Sequence, residues 1–135
     1  MEYVNEAREY LTIYSDLEIS KKNLEEQIDT IKAELKLLKN EQQVFNNDFT
    51  FNKAFKLKKL ENNLKSTKKA IIEISGALNK LSEYEKNILV FYYINGLRNK
   101  VLYKELKCSE RKFYEDKAYV IRKFAIELFH IMAIA

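Results

Sequence analysis

Residues 109–115 of this chain read Ser-Glu-Arg-Lys-Phe-Tyr-Glu, and six of the seven side chains are hydrogen-bonding groups. An arginine fork matches guanine O6 and N7 in two places at once, a lysine meets phosphate, and a glutamate accepts from cytosine N4. A tyrosine stacks on a sugar or touches a thymine methyl. Ser109 suits the N-cap of a helix and Phe113 its buried side. Glu110, Arg111, Lys112, Tyr114, Glu115 and Ala118 are then left facing outward on the first two turns. Arg98 and Lys100 stand before a shorter preceding helix, where backbone amides also face phosphate. Plain surface charge, and for Glu110 compensation of the helix dipole, are the duller roles of the same residues.

Other chemistry finds little support. Gly76 and Gly96 are the only glycines and stand twenty residues apart, so no phosphate-cradling loop is present. Cys108 and His130 are the sole residues of their types, too few for a zinc site. No acidic cluster has metal spacing. The expectation is therefore no enzyme, no metal and no cofactor. Cys108 reads as a small hydrophobe in a turn and His130 as an ordinary helical residue. One cysteine forbids a disulfide within the chain, and the first thirty residues are charged throughout, unlike a signal peptide. No run of about 18 apolar residues exists to span a membrane. A cytoplasmic protein is expected.

The elements that must position residues 109–115 are helical. With no proline and two glycines in 135 residues, tight turns between strands lack their punctuators, and the fold class is all-α. From Tyr3, alternating steps of four and three pass through Ala7, Tyr10, Tyr14, Leu17, Lys21, Leu24, Ile28, Ile31, Leu35 and Leu38. This heptad seam predicts a helix over about residues 3–39, roughly 55 Å long. A second row, Leu57, Leu60, Leu64, Thr67, Ile71, Ile74, Leu78 and Leu81, predicts another over about 51–80. Asp48 or Thr50 would cap it. Val44, Phe45, Phe49, Phe51 and Phe55 are too apolar for a solvated loop and are expected to plug the end of the hairpin.

Each seam needs a partner: the other helix in an antiparallel, coiled-coil-like hairpin, or the same helix of a second chain. The extra apolar positions Val4, Leu11, Ile13, Ile19, Leu37 and Ile72 widen the stripe and favour a hairpin that also dimerises. Charge is uneven: residues 1–50 carry 6 Lys/Arg against 11 Asp/Glu, and residues 51–80 carry 8 against 2. Lys53, Lys56, Lys58, Lys59, Lys65, Lys68 and Lys69 suit a nucleic-acid surface, or complement the acidic first helix across the hairpin. Complementation is the favoured expectation.

After residue 81 the heptads stop. Ser82 and Glu85 have capping-box spacing, opening a helix with Ile88, Leu89, Phe91 and Tyr92 on one side, which Asn95-Gly96 ends. Asn99 would cap a helix over Lys100 to Lys107 with Val101, Leu102 and Leu106 inward. Ser109 caps a longer helix from Glu110 that buries Phe113, Val120, Ile121, Phe124 and Leu128. Cys108 and Phe113 hold the spacing of a hydrophobic staple. The last two helices and their short turn make a helix-turn-helix, whose second helix has the size to enter a major groove about 12 Å wide. The tail Leu128, Phe129, Ile131, Met132, Ile134 is too apolar for a free end and is expected to pack on the hairpin or a second subunit.

A resemblance rests on these residues. Leu81-Ser82-Glu83-Tyr84-Glu85-Lys86-Asn87-Ile88-Leu89, Tyr92-Tyr93-Ile94-Asn95-Gly96 and Leu106-Lys107-Cys108-Ser109-Glu110-Arg111-Lys112-Phe113-Tyr114 resemble region 4 of bacterial sigma factors. They are similar still more closely to small phage regulators of the ArpU type. In these, Ser-Glu-Arg and an aromatic pair open the recognition helix, and Phe-Ala recurs near its end, here Phe124-Ala125. The similarity covers residues 81–129. It departs at Tyr103, where a small alanine is usual, and at Lys107, where glycine is frequent; both are expected to open the angle between the helices. The long N-terminal helices resemble, less specifically, a leader found on some of these phage proteins.

The resemblance implies sequence-specific binding of double-stranded DNA and control of phage or prophage late genes. It places Glu110, Arg111, Lys112, Tyr114 and Glu115 at base- and phosphate-contacting positions. The expected organisation is a hairpin over residues 1–80 for oligomerisation or partner binding and a helix-turn-helix domain over 81–135. A homodimer is expected, through the N-terminal helices or the apolar tail. The competing expectation is a coiled-coil interaction module that binds RNA polymerase or another regulator instead of DNA.

Overall fold

The computed structural model describes residues 2–40 and 47–130. The protein is all-α: α1 (Glu2–Asn40), α2 (Asn47–Leu78), α3 (Glu83–Leu89), a π-helical turn Val90–Ile94, α4 (Asn99–Leu106) and α5 (Glu110–Phe129). The long α1 and α2 pack against each other as a hairpin, and the shorter helices follow. The chain divides into two compact units, residues 1–15 together with 71–135, and residues 16–70.

In the unit of residues 16–70 the two heptad rows face each other. Leu17, Lys21, Leu24, Leu35 and Leu38 of α1 are half-buried and Ile28 and Ile31 buried, while Leu57, Leu60, Leu64 and Thr67 of α2 are half-buried. Lys53 pairs with Glu34 across the helices. The described part of α2 already includes Asn47, ahead of the start its row suggested, and Thr50 and Lys53, both half-buried, continue that row backward. Thr50 and Asp48 therefore lie inside the helix and not at its cap, and the Thr50 hydroxyl is buried without a partner. Phe49, Phe51 and Phe55 do not plug the hairpin: they are 48%, 68% and 64% exposed. A helical α2 turns them off the seam, which Thr50, Lys53 and Leu57 occupy. Val44 and Phe45 lie outside the described residues.

The other unit has a closed core. From α1 come Ala7 and Leu11, from α2 Ile74, Ala77 and Leu78, then Leu81, Ile88, Leu89, Leu102, Leu106 and the inner face of α5. Leu11 takes the inward position expected of Tyr10, which is 37% exposed with its ring 5.9 Å from that of Phe129. Every residue expected on the inner face of α5 is buried: Phe113, Val120, Ile121, Phe124 and Leu128. The helix ends at Phe129, and His130 is its left-handed cap at φ 55°, not a further helical residue. Ile131, Met132 and Ile134 lie outside the described residues. Of the extra apolar positions, Leu11 is buried and Val4 half-buried, whereas Ile13, Ile19, Leu37 and Ile72 are exposed.

Candidate nucleic-acid interface

The site is built on α5, and α3 holds α5 in place. Ser82 and Glu85 form the capping box in both directions: Glu85 N–H donates to Ser82 Oγ at 3.2 Å, and Ser82 N–H donates to Glu85 Oε1 at 2.9 Å. The same carboxylate accepts from Lys123 of α5 through both oxygens at 3.1 Å. The Ser82 amide first, and the Lys123 ammonium after it, hold the Glu85 carboxyl below the usual carboxylate range; Glu85 in turn raises Lys123. From the residue before Glu85, the Tyr84 hydroxyl donates to Asp116 Oδ2 of α5, two turns ahead of Lys123, at 2.7 Å. Burial and that bond push the Tyr84 phenol up, while the Asp116 carboxyl is lowered by Tyr84 and then by Lys112. Two polar clamps and the Phe113 side chain thus fix the rotation of α5.

The π-helical turn comes next. Asn95 N–H reaches Val90 O at 2.8 Å, Leu97 N–H reaches Phe91 O at 2.9 Å, and Gly96 takes φ 70°, a left-handed conformation open to glycine. The wider turn sets the Tyr92 ring 5.5 Å from Phe113. Arg98 is folded back on this turn. Its guanidinium lies 3.7 Å from the Tyr92 ring and donates to the carbonyls of Tyr92 and Leu97 at 2.6 and 2.8 Å. Lys117 points its ammonium at the same ring from 4.1 Å. Burial raises the Tyr93 phenol, against an opposing hydrogen bond from Arg8.

The turn into α5 departs from expectation at one end and meets it at the other. Asn99 does not cap α4: it is the helix's first residue, at φ 56°, and the N-cap position falls on Arg98, whose side chain makes no capping bond to the helix. The reason is local, since Arg98 takes the extended conformation (φ −141°, ψ 156°) that a capping residue needs and Asn99 does not. Lys107 ends α4 at φ 55°, a left-handed position where a β-carbon is unfavourable. Cys108 is half-buried. Ser109 caps α5 as expected, accepting from Lys112 N–H at 3.1 Å. Tyr103 packs its ring 5.7 Å from Phe113, and burial together with a bond to Tyr114 pushes its phenol up to about 12.

Every outward position named on α5 is exposed: Glu110, Arg111, Lys112, Tyr114, Glu115 and Ala118. Arg111 Nε donates to Glu115 Oε1 at 3.2 Å, with 90% of the arginine side chain exposed. Lys112 meets Asp116 at 3.0 Å and is 59% exposed. The exposed Arg111–Glu115 pair is worth about 0.3–0.5 kcal/mol, less than a charge-assisted bond to a base or phosphate supplies, whereas Asp116 is only 28% exposed and is held by Tyr84 as well as Lys112. Lys100 is exposed and unpaired among the described residues, and neither it nor Arg98 pairs with the α5 residues. Over residues 98–117 there are seven Lys/Arg against four Asp/Glu.

No family model, curated protein or solved structure matches the chain.

Tyr84, Asp116, Lys123 and Lys117 were not singled out by sequence. Tyr84 and Asp116 are 32 residues apart and leave no local signal. Lys117 did leave one: Phe113 and Tyr114 precede it by four and three residues on the same helix, and both rings are within 5.7 Å of its ammonium.

Proposed function

We propose that this chain is a sequence-specific, double-stranded-DNA-binding transcriptional regulator of the ArpU type, cytoplasmic, acting on phage or prophage late genes as a homodimer. The observation that carries the reading is the open face of α5. Its first two turns present Arg111, Lys112, Tyr114 and Glu115 to solvent, while Phe113 and the clamps to α3 fix the opposite face. Within that reading Arg111 and Glu115 act as one unit. The bond through Nε leaves both terminal guanidinium nitrogens for guanine O6 and N7, and Glu115 keeps a second oxygen for cytosine N4. Lys112 and Lys100 meet phosphate and set register without reading sequence. Arg98 braces the turn before α4 and lends its charge to the same backbone.

The test is selection of bound duplexes from random DNA by the full chain, followed by affinity measurements on the enriched sequence. Arg111→Ala should cost about 1–3 kcal/mol and relax discrimination at one base pair, whereas Lys112→Ala should weaken all sequences alike. Selection without enrichment, or charge reversal at both residues with no loss of binding, contradicts the proposal. Capture of RNA polymerase that survives the same reversal would point to the coiled-coil interaction module instead.

A further inference from the structure

The lysines of α2 were expected to complement the acidic face of α1, and among the described residues Lys53 alone forms an ion pair with it. Lys56, Lys58, Lys59, Lys65, Lys68 and Lys69 take no ion pair among the described residues. Residues 51–72 hold seven lysines and one acid, Glu61. Opposite the seam, one row runs the length of the helix at steps of four and three: Phe51, Phe55, Lys58, Asn62, Lys65 and Lys69, all exposed. It is roughly 27 Å long. At its start the Phe51 and Phe55 rings lie near-parallel, 6.4 Å apart at 21°, and both are more than 60% exposed.

We propose that this outer face of α2 binds single-stranded nucleic acid, with Phe51 and Phe55 stacking on bases and Lys58, Lys65 and Lys69 following the phosphodiester backbone. Flat exposed rings beside a run of cations supply the two contributions that unpaired strands use, and neither needs a particular sequence. A duplex offers the lysines phosphate but offers the rings no free base face. A membrane surface would need apolar residues along the whole face, and here they stop at Phe55. A second copy laid face to face would set Lys58, Lys65 and Lys69 against their own images. The surface belongs to the unit of residues 16–70 and is independent of the reading given to α5.

The experiment is fluorescence anisotropy of a labelled oligothymidine of about 12 nucleotides, within the usual site sizes of roughly 4–16, titrated with the full chain at low salt. The intact protein should bind it, and an unlabelled duplex of equal length should displace it poorly. Phe51→Ala with Phe55→Ala should weaken it at least about tenfold. Lys58→Gln, Lys65→Gln and Lys69→Gln together should flatten the log K against log salt slope by about 2. Both sets change exposed residues, and circular dichroism is the check that they keep their helix content. Phe51→Ala with Phe55→Ala should leave the affinity for the selected duplex unchanged, which separates failure here from failure of the duplex reading. Absence of oligothymidine binding, equal competition by the duplex, or an undiminished affinity of the Phe51→Ala/Phe55→Ala protein overturns the proposal. So does lysine-dependent capture by phosphatidylserine vesicles without oligothymidine binding.

Discussion

Both units grow from rows of apolar residues at helical spacing, but they close to different depths. In residues 16–70 two helices face each other, and Ile28 and Ile31 alone of the described residues fall below a tenth of their full exposure. In the other unit the same two helices meet α3, α4 and α5, and Leu11, Ile88, Leu89, Phe113, Phe124 and Ala125 reach 0%. A two-helix contact covers a seam from one side only, so water still reaches the flanks of Leu60 and Leu64. A third and fourth helix remove it. The heptad pattern thus specifies which residues face inward, whereas the number of neighbours decides how much free energy that gains.

The sharpest break of this contrast is a pair of truncations. Phe113→Ala should cost about 3–5 kcal/mol, since it empties a site with no exposure under Tyr92, Tyr103 and Tyr114. Leu64→Ala, on the half-buried seam, should cost less than half as much. Denaturant unfolding followed by circular dichroism measures both, and equal losses would mean that the hairpin seam is as well closed as the helical core.

A smaller effect belongs to the caps. Ser109→Ala should cost about 1 kcal/mol, read from the same unfolding curves, because the Lys112 amide loses its acceptor. The clamps between α3 and α5 add a pH dependence. Glu85 and Asp116 have folded pKa values below their unfolded ones, so their contribution is complete above the ordinary carboxylate range and is lost as pH falls through the folded values. Glu85→Gln with Asp116→Asn should flatten the acid limb of stability against pH, and leave it unchanged if the clamps contribute nothing.

The smallest expected effect has the opposite sign. Lys107 holds φ 55°, and Lys107→Gly should stabilise the unit by about 0.5–1 kcal/mol, visible as a higher melting temperature. A destabilised Lys107→Gly protein would show that the lysine side chain supports the turn.

What the sequence made legible follows from range. The heptad rows, the Ser82–Glu85 box, the Ser109 cap, Gly96 and the inner face of α5 are periodic or local, and all were readable. Reading stopped where the decisive partner lay far along the chain or where two local choices nearly balance. Tyr84 finds Asp116 and Glu85 finds Lys123 only after α5 docks. The capping geometry fell on Arg98 although Asn99 has the better side chain for it, and the π-helical turn at Val90–Ile94 has no sequence signature of its own. At the candidate interface the outward side chains were readable from the position of Phe113. The folding of Arg98 onto Tyr92 was not, because it depends on the ring that the π turn delivers.

The central claim is that the open face of α5 meets the phosphates and base edges of a duplex. Its most direct test is the affinity of the full chain for a selected duplex as salt rises from about 50 to 200 mM. Contacts from Lys100, Lys112 and their neighbours predict a log–log slope steeper than about −3, shallower by about 1 in Lys112→Ala. An affinity that stays flat across that range, or a slope untouched by Lys112→Ala, would contradict the account.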